Sequence, residues 1–431
     1  MKEQVRTRIE KVVAGGLGLA RLADGRVLLV PLTLPDEEVL LRLSGPAAKP
    51  TVRLTEITSP SPWRKSPPCP YFGRCGGCQL QHCDFDQQAE LKKAIFSEQL
   101  QRAKIDFSPE RLRFLAAPSP FHYRQRIRLQ VKDGELGFFG RASHDLVAIS
   151  EGCLLAPVEI NQVLTQLLAW PHWDELAEQL SQLELHLDEA SAMVVVRCLW
   201  QRKARPREVG WLKELAASLT GLKALLALDP EGRVSGPFPA GSDSLLSQCL
   251  RLPGLAPINF SFEAGGFCQV NQAQNRLMVE QVLAWLGPGE NRFLLDLFCG
   301  MGNFSLPLAA TGFQVHGVDL QRAAIRQARR NSQANEISCE FSRLSTAQAV
   351  GDKAKGVDVI LLDPPRAGIK AEAGQLASLR ARQIIYISCD AATLARDLKL
   401  LTKSYKIQDI SLVDMFPQTA HMETMVNLLA R

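Results

Sequence analysis

Eleven cysteines are spread along the 431-residue chain, and two arrangements of them could do chemistry. The first is Cys389, in the stretch IIYISCDAATLARDL. There an apolar, β-branched run stops at Ser388-Cys389-Asp390 and gives way to helical spacing. Free cysteine is among the most buried residue types, so packing is the ordinary role. A thiol at the carboxyl end of a buried strand also stands where a nucleophile would stand. The second arrangement is Cys69-x5-Cys75-x2-Cys78. Clustered thiols in a chain without a secretory leader point to a metal rather than to disulfides. A tetrahedral site needs a fourth ligand. Cys83 is close in sequence and Cys153 is distant. All-thiolate ligation suits either structural zinc or a [4Fe–4S] cluster.

A third group of residues suits a nucleoside cofactor. FLLDLFCGMGNFSLPLA places a glycine turn between a strand and a helix. Gly300 and Gly302 let the backbone approach a ligand with no Cβ in the way, and the helix start offers free N–H groups. Ser305 occupies the third position of a G-x-G-x-x-G pattern, so the NAD fingerprint fails. The next strand ends in HGVDL, which puts Asp319 where a carboxylate holds ribose hydroxyls. A further strand ends in LLDPPRAG, with Asp363 at its edge and two prolines that stiffen the turn. Close to the C-terminus, His421-x-Glu423 precedes an apolar run.

These residues need elements to position them. From about residue 265 onward, FLLDLF, FQVHGVDL, VDVILLD and QIIYIS alternate with helical patterns, which predicts a doubly wound, Rossmann-like parallel sheet with its ligands at the carboxyl ends of the strands. Residues 1–57 read as five short strands (VRTRIEKVV, GLGLARLA, RVLLVP, EEVLLRLS, TVRLTEI), the spacing of a small OB-like β-barrel. TSPSPWRKSPPCP reads as a linker. Residues 58–264 read as a mixed α+β central domain. In it DFDQQAELKKAIFSEQLQRAKI is a helix with charges of both signs, and YRQRIRLQVKDGELGFFGR is a hairpin about Asp133-Gly134. The overall class is α/β in three domains, 1–57, 58–264 and 265–431.

Hydrophobic residues make up 46% and charged residues 22%, the balance of a globular chain. The first residues lack the apolar core of a signal peptide, and no apolar run reaches the length of a membrane span. A cytoplasmic protein with no membrane contact is expected. The formal charge of +5 leans toward polyanions without proving one. Arg124, Arg126 and Arg128, in FHYRQRIRLQ, recur at strand spacing and should share one face. Beside Phe121, His122 and Tyr123 they suit phosphates and unstacked bases.

The pieces SCDAATLARDL, DMFPQTAHMETM, FCQVNQAQN, LLDLFCGMGNFSLPLA and LLDPPRAG together resemble the RNA uracil-5-methyltransferase family. The resemblance spans nearly the whole chain and is strongest to the branch that methylates 23S ribosomal RNA, with a TRAM domain as the N-terminal barrel. It implies methyl transfer from S-adenosylmethionine to carbon 5 of a specific uridine, with Cys389 as nucleophile and Glu423 as base. It implies that Gln269, Phe298, Gly300, Asn303, Asp319 and Asp363 form the cofactor and reaction pocket. It also implies that Cys69, Cys75, Cys78 and Cys153 hold a [4Fe–4S] cluster in a monomeric enzyme. His421 then shapes its loop rather than reacts. The rival readings are the same chemistry on transfer RNA and a non-catalytic iron–sulfur protein that binds RNA.

Overall fold

The computed structural model describes residues 2–46, 50–352, 354–370 and 372–431. Its largest sheet has eight strands. In spatial order they are Glu340–Arg343, Gln314–Asp319, Phe293–Leu297, Val359–Leu362, Gln383–Ser388, Glu423–Ala430, Tyr405–Val413 and Leu112–Leu115. The first five are parallel. Helices cover both faces of such a sheet, so its strands are apolar throughout rather than alternating. All four residues of Val359–Leu362 and all six of Gln383–Ser388 are buried. Strand order reverses between Phe293–Leu297 and Val359–Leu362, which opens a crevice at their carboxyl ends. Glu423–Ala430 runs antiparallel to both of its neighbours, so its first residue lies at the same edge as the ends of the parallel strands.

Segments from well before residue 265 complete this core. The helix Phe85–Arg102 packs Leu91, Ile95, Phe96 and Leu100 with Leu398, Tyr405 and Leu412. Leu112–Leu115 forms the sheet's edge strand. The hairpin Leu245–Leu250/Ile258–Glu263 sets Phe260 and Phe262 against Met278, Leu294 and Val315.

The central seven-stranded sheet runs Leu146–Ala148, Glu135–Phe139, Arg126–Lys132, Leu180–Asp188, Met193–Trp200, Leu222–Leu228, Val234–Phe238. The expected hairpin is present, with Lys132 paired to Glu135. Its two turn residues, Asp133 and Gly134, both have positive φ, the turn that matches strand twist.

The N-terminal strands form two three-stranded sheets around one small core that includes Ile9, Leu28, Val30, Val39 and Leu41. The run VRTRIEKVV is two strands here, not one: Lys2–Arg8 and Lys11–Val13. Ile9 is fully buried. Its N–H donates to the Glu37 carbonyl, while the Glu10 N–H donates to Leu19, so the chain leaves one sheet and joins the other at that point. The Pro- and Ser-rich linker is pinned: Arg64 pairs with the buried Glu37 at 2.5 Å and donates to the Leu32 carbonyl at 2.8 Å.

Candidate active site

Backbone register assembles the site. Ser388, the last residue of its strand, pairs with Thr424 on the antiparallel neighbour. One step further along the same register sets Cys389 opposite Glu423, and directly opposed residues on one face have Cβ atoms about 5 Å apart. Asp363 follows Leu362, which pairs with Tyr386 on the other side of the Cys389 strand. The strand stops at Cys389 because the next residues build a helix start. Asp390 caps the helix Ala391–Leu401 by accepting the Thr393 N–H at 2.7 Å. The loop after Asp363 is held against that helix. Asp397, fully buried, accepts the Ile369 N–H at 2.8 Å and the Tyr386 hydroxyl at 2.7 Å.

The electrostatics follow from this juxtaposition. Burial pushes the Cys389 thiol up to about 11; Glu423 and Asp363 add to the rise, and the Arg366 guanidinium opposes it. A thiol beside a helix N-terminus is normally lowered, so desolvation and like charge win here. Burial, with help from Asp363, carries Glu423 well above the ordinary carboxylate range, again against Arg366. Burial alone raises Asp363 to about 7. One thiol, two carboxyls and one guanidinium therefore share a partly dehydrated space, the setting in which functional groups acquire perturbed pKa values.

The glycine loop lies beside them. Phe298 takes a left-handed φ of 68° as it leaves its strand, a conformation rare for a bulky residue and stored mainly at functional loops. A Cβ on Gly300 would meet open space, whereas Gly302 packs closely on Leu306 and Phe341. Gly300 thus leaves open space above its backbone, and Gly302 seats the loop on the core. The Gly300 N–H donates to Asp319 at 3.1 Å, and the other Asp319 oxygen accepts the Gln321 N–H at 2.7 Å. Asn303 exchanges two amide bonds of 2.9 Å with Asn275, on the helix Gln272–Leu286 that follows Gln269. Gln269 itself is buried.

Two participants did not stand out in the sequence. Asp296 is buried in the strand before the glycine loop and accepts from Ser305 Oγ at 2.5 Å; burial raises it to about 7 against that bond. A lone acid inside an apolar strand was the available signal. Arg366 lay in plain view within LLDPPRAG, but only the fold brings it to Cys389 and Glu423.

The metal-candidate cysteines separate into two places. Burial pushes Cys78 up to about 12, and the charges of Cys153, Cys75 and Cys69 raise it further. Cys75 likewise feels Cys69, and Cys153 feels Cys75. Cys83 lies elsewhere. It is buried with Leu80 and Leu91 under the eight-stranded sheet, and the charges it feels are those of Asp84, Arg64 and Glu37. Among the described residues no three His, Cys, Asp or Glu side chains converge tightly enough for one metal ion.

The arginines are more committed than their spacing suggested. The strand begins at Arg126, so Arg124 precedes it. Arg126 and Arg128 both reach the fully buried Glu184, at 3.2 and 2.5 Å, and Arg197 joins them. Burial would raise Glu184, but the neighbouring His186 and the three guanidinium groups together hold it far below the ordinary carboxylate range. Three guanidinium groups face one carboxylate, so the cluster stays cationic; the Arg128 side chain is 50% exposed. A cleft of about 620 Å³ opens nearby. Gly15 of the N-terminal unit, Gly76 of the cysteine segment, Arg128, Phe139, Arg141 and His421 line it.

Three comparisons bear on this arrangement. The sequence model of the tRNA (Uracil-5-)-methyltransferase family matches residues 85–431. The 23S rRNA (uracil(1939)-C(5))-methyltransferase RlmD of Pseudomonas entomophila is 34% identical over 97% of this chain and 92% of its own. The enzyme of the same name from Pectobacterium atrosepticum is 34% identical over 96% of this chain and 91% of its own. The crystal structure of Pyrococcus abyssi tRNA (uracil-54, C5)-methyltransferase in complex with S-adenosyl-L-homocysteine superposes with a TM-score of 0.76. It is 25% identical and covers 98% of this chain and 99% of that one.

Proposed function

The chain belongs to the tRNA (Uracil-5-)-methyltransferase family, and from that premise we propose that it methylates carbon 5 of one uridine in 23S ribosomal RNA, the position equivalent to uridine 1939. The ribosomal substrate is favoured over transfer RNA because the 34% identical relatives bear that name over nearly their full length. The observation that carries the reaction is the Ser388–Thr424 pair at the strand end, which brings the neighbouring Cys389 and Glu423 together, with Asp363 just past the adjoining strand.

The chemistry follows from those side chains. Carbon 5 of uracil is a poor nucleophile. The Cys389 thiolate adds to carbon 6, forming a C–S bond, and the displaced electron pair makes carbon 5 an enolate carbon. Bound S-adenosylmethionine supplies the electrophilic methyl group that carbon 5 attacks. Glu423 then takes the proton from carbon 5, the ring double bond re-forms, and the thiolate leaves. The elevated pKa of Glu423 suits it to that step, because a carboxylate of higher pKa is the stronger base toward a carbon acid. Gly300, Asn303, Asp319 and Asp363 would hold the cofactor at the strand ends, with Phe298 and Gln269 flanking it. The open space at Gly300 and the half-buried carboxylate of Asp319 at its strand end fit a nucleoside that carries an amino acid.

Cys69, Cys75, Cys78 and Cys153 would hold a [4Fe–4S] cluster. The mutual electrostatic coupling of the four thiols, and the separate location of Cys83, support this ligand set. A four-iron cube takes one thiolate per iron, so its ligands need not close on a single ion. Methyl transfer from a sulfonium involves no net redox change, so the cluster is structural in this reading. Arg128 and Arg141 in the cleft, with Arg124 and Arg126 close by in sequence, suit an RNA strand whose target base is drawn out of its stack. A cytoplasmic monomer suits this reading, because ribosomal RNA, the substrate named for the relatives, is met there. The test is to incubate the protein with methyl-labelled S-adenosylmethionine and either 23S RNA fragments or transfer RNA, then map the labelled nucleotide. Label at one uridine of the ribosomal fragment supports the reading; label only in transfer RNA, or none, overturns it.

A further inference from the structure

Glu423 is reached through the segment 414–422, which leaves the strand Tyr405–Val413 and returns as Glu423–Ala430. This is an interior loop: Asp414, Gln418 and Thr419 are at most 4% exposed. Buried polar backbone needs partners, and these come from remote parts of the chain. Gln88, 330 residues earlier and 1% exposed, accepts the Gln418 N–H through Oε1 at 3.0 Å and donates from Nε2 to Gln418 Oε1 at 3.0 Å. The same Nε2 reaches the Leu80 and Cys83 carbonyls at 3.2 Å each. The Gln418 carbonyl accepts from the N–H groups of Gln79 and Leu80, at 3.1 and 2.9 Å. The Gln79 side chain accepts the Ala420 N–H at 3.3 Å and donates to Gly76 at 2.8 Å. Gln418 has a φ of 67°, a left-handed conformation that persists only where surroundings over-determine it.

From this network we infer that Gln88 and Gln79 are positioning residues for the general base: they clamp the loop through Gln418 and Ala420 and thereby hold Glu423 against Cys389. The segment carrying Cys75 and Cys78 is thus tied by hydrogen bonds to the loop that ends at the base. The inference rests on the reading of Glu423 as base. Its consequence is specific. If the clamp is loosened, the last pair of the ladder, Val413 with Glu423, loses its support. The Cys389 strand end and the glycine loop have their own anchors. Addition and methyl transfer should then continue while removal of the carbon-5 proton slows.

The experiment compares Gln88→Met, Gln79→Met and Glu423→Gln with the parent enzyme on ordinary 23S fragments, loaded with iron and matched for iron content. Gln88→Met should lower kcat roughly 10- to 100-fold, the effect of small displacements in a reacting geometry. The RNA KM should fall with kcat, because steps up to methyl transfer are untouched and the adduct accumulates, and the affinity for S-adenosylmethionine should be unchanged. It should also accumulate a denaturation-resistant enzyme–RNA adduct carrying the new methyl group, as Glu423→Gln should. Gln79, at the rim, should act in the same direction and more weakly, and it decides the matter if Gln88→Met does not fold. A merely structural role would lower product and adduct together. That result overturns the inference, as does wild-type turnover in both variants. If Glu423→Gln traps an adduct and the glutamine variants do not, the inference falls alone. If Glu423→Gln traps nothing, the assignment of the base falls and carries the inference with it.

Discussion

Lys92→Met probes the same loop through stability. Lys92 is fully buried and Asp414 nearly so, and their side chains meet at 2.5 Å. The ammonium also donates to the Phe416 carbonyl at 3.1 Å. Burial lowers the Lys92 pKa, and Asp414 opposes that shift. Two desolvated charges in contact roughly offset their own dehydration, but removing one leaves the other stranded. Breaking such a pair costs about 3–5 kcal/mol. Methionine fills most of the lysine's volume, so the loss is that of the charge rather than of packing. A chain with four separate hydrophobic clusters does not unfold in one step, so the assay is native-state hydrogen exchange at the amides of Tyr405–Val413 and Glu423–Ala430. The expected stability loss corresponds to exchange faster by roughly a hundred- to several-thousand-fold. The double variant Lys92→Met/Asp414→Leu should recover much of that, because neither charge remains. A loss below about 1 kcal/mol, or a double variant as costly as the sum of its parts, would refute the picture of a stranded carboxylate.

Other outcomes follow from the titrating groups and the thiols. Because the Cys389 thiol is held protonated above its ordinary range, single-turnover methyl transfer, which needs the thiolate, should rise with pH through neutrality; a plateau reached by pH 6 would contradict this. Asp296 and Asp363 bind protons more tightly folded than unfolded, both near 7 against 3.8. Their contribution to stability is therefore full below about pH 4 and is lost as pH rises through 7. Asp363→Asn should flatten that decline in thermal unfolding, and an unaltered slope would argue against a buried, protonated Asp363. Anaerobically purified Cys153→Ser should lose iron and the brown colour while Cys83→Ser keeps both, and the opposite pattern would exchange the fourth ligand.

The parallel strands and their polar ends were readable because a strand buried on both faces is a continuous apolar run, and its end announces itself by a change of residue type. Gly300, Asp319 and Asp363 are each visible in that way. Glu423 was visible only through its resemblance to a motif, since its meeting with Cys389 is set by antiparallel register between distant segments. The helix Phe85–Arg102 shows what periodicity cannot tell. Gln88 and Lys92, one helical turn apart, look like the solvated side of an amphipathic helix, yet both are buried. Their partners, Gln418 and Asp414, belong to a loop at the far end of the chain. The commitment of Arg126 and Arg128 to Glu184 was equally hidden, because strand spacing reports which face a residue takes and not what that face meets.

Covalent catalysis by Cys389 is decided by a 23S fragment carrying 5-fluorouridine at the target position, incubated with S-adenosylmethionine. Fluorine cannot leave carbon 5 as a proton does, so the account predicts a stable, methylated protein–RNA adduct, with the RNA mapped to Cys389 by mass spectrometry. Cys389→Ala should form none while still binding S-adenosylmethionine. An adduct that persists in Cys389→Ala, or that maps to another residue, would contradict the account.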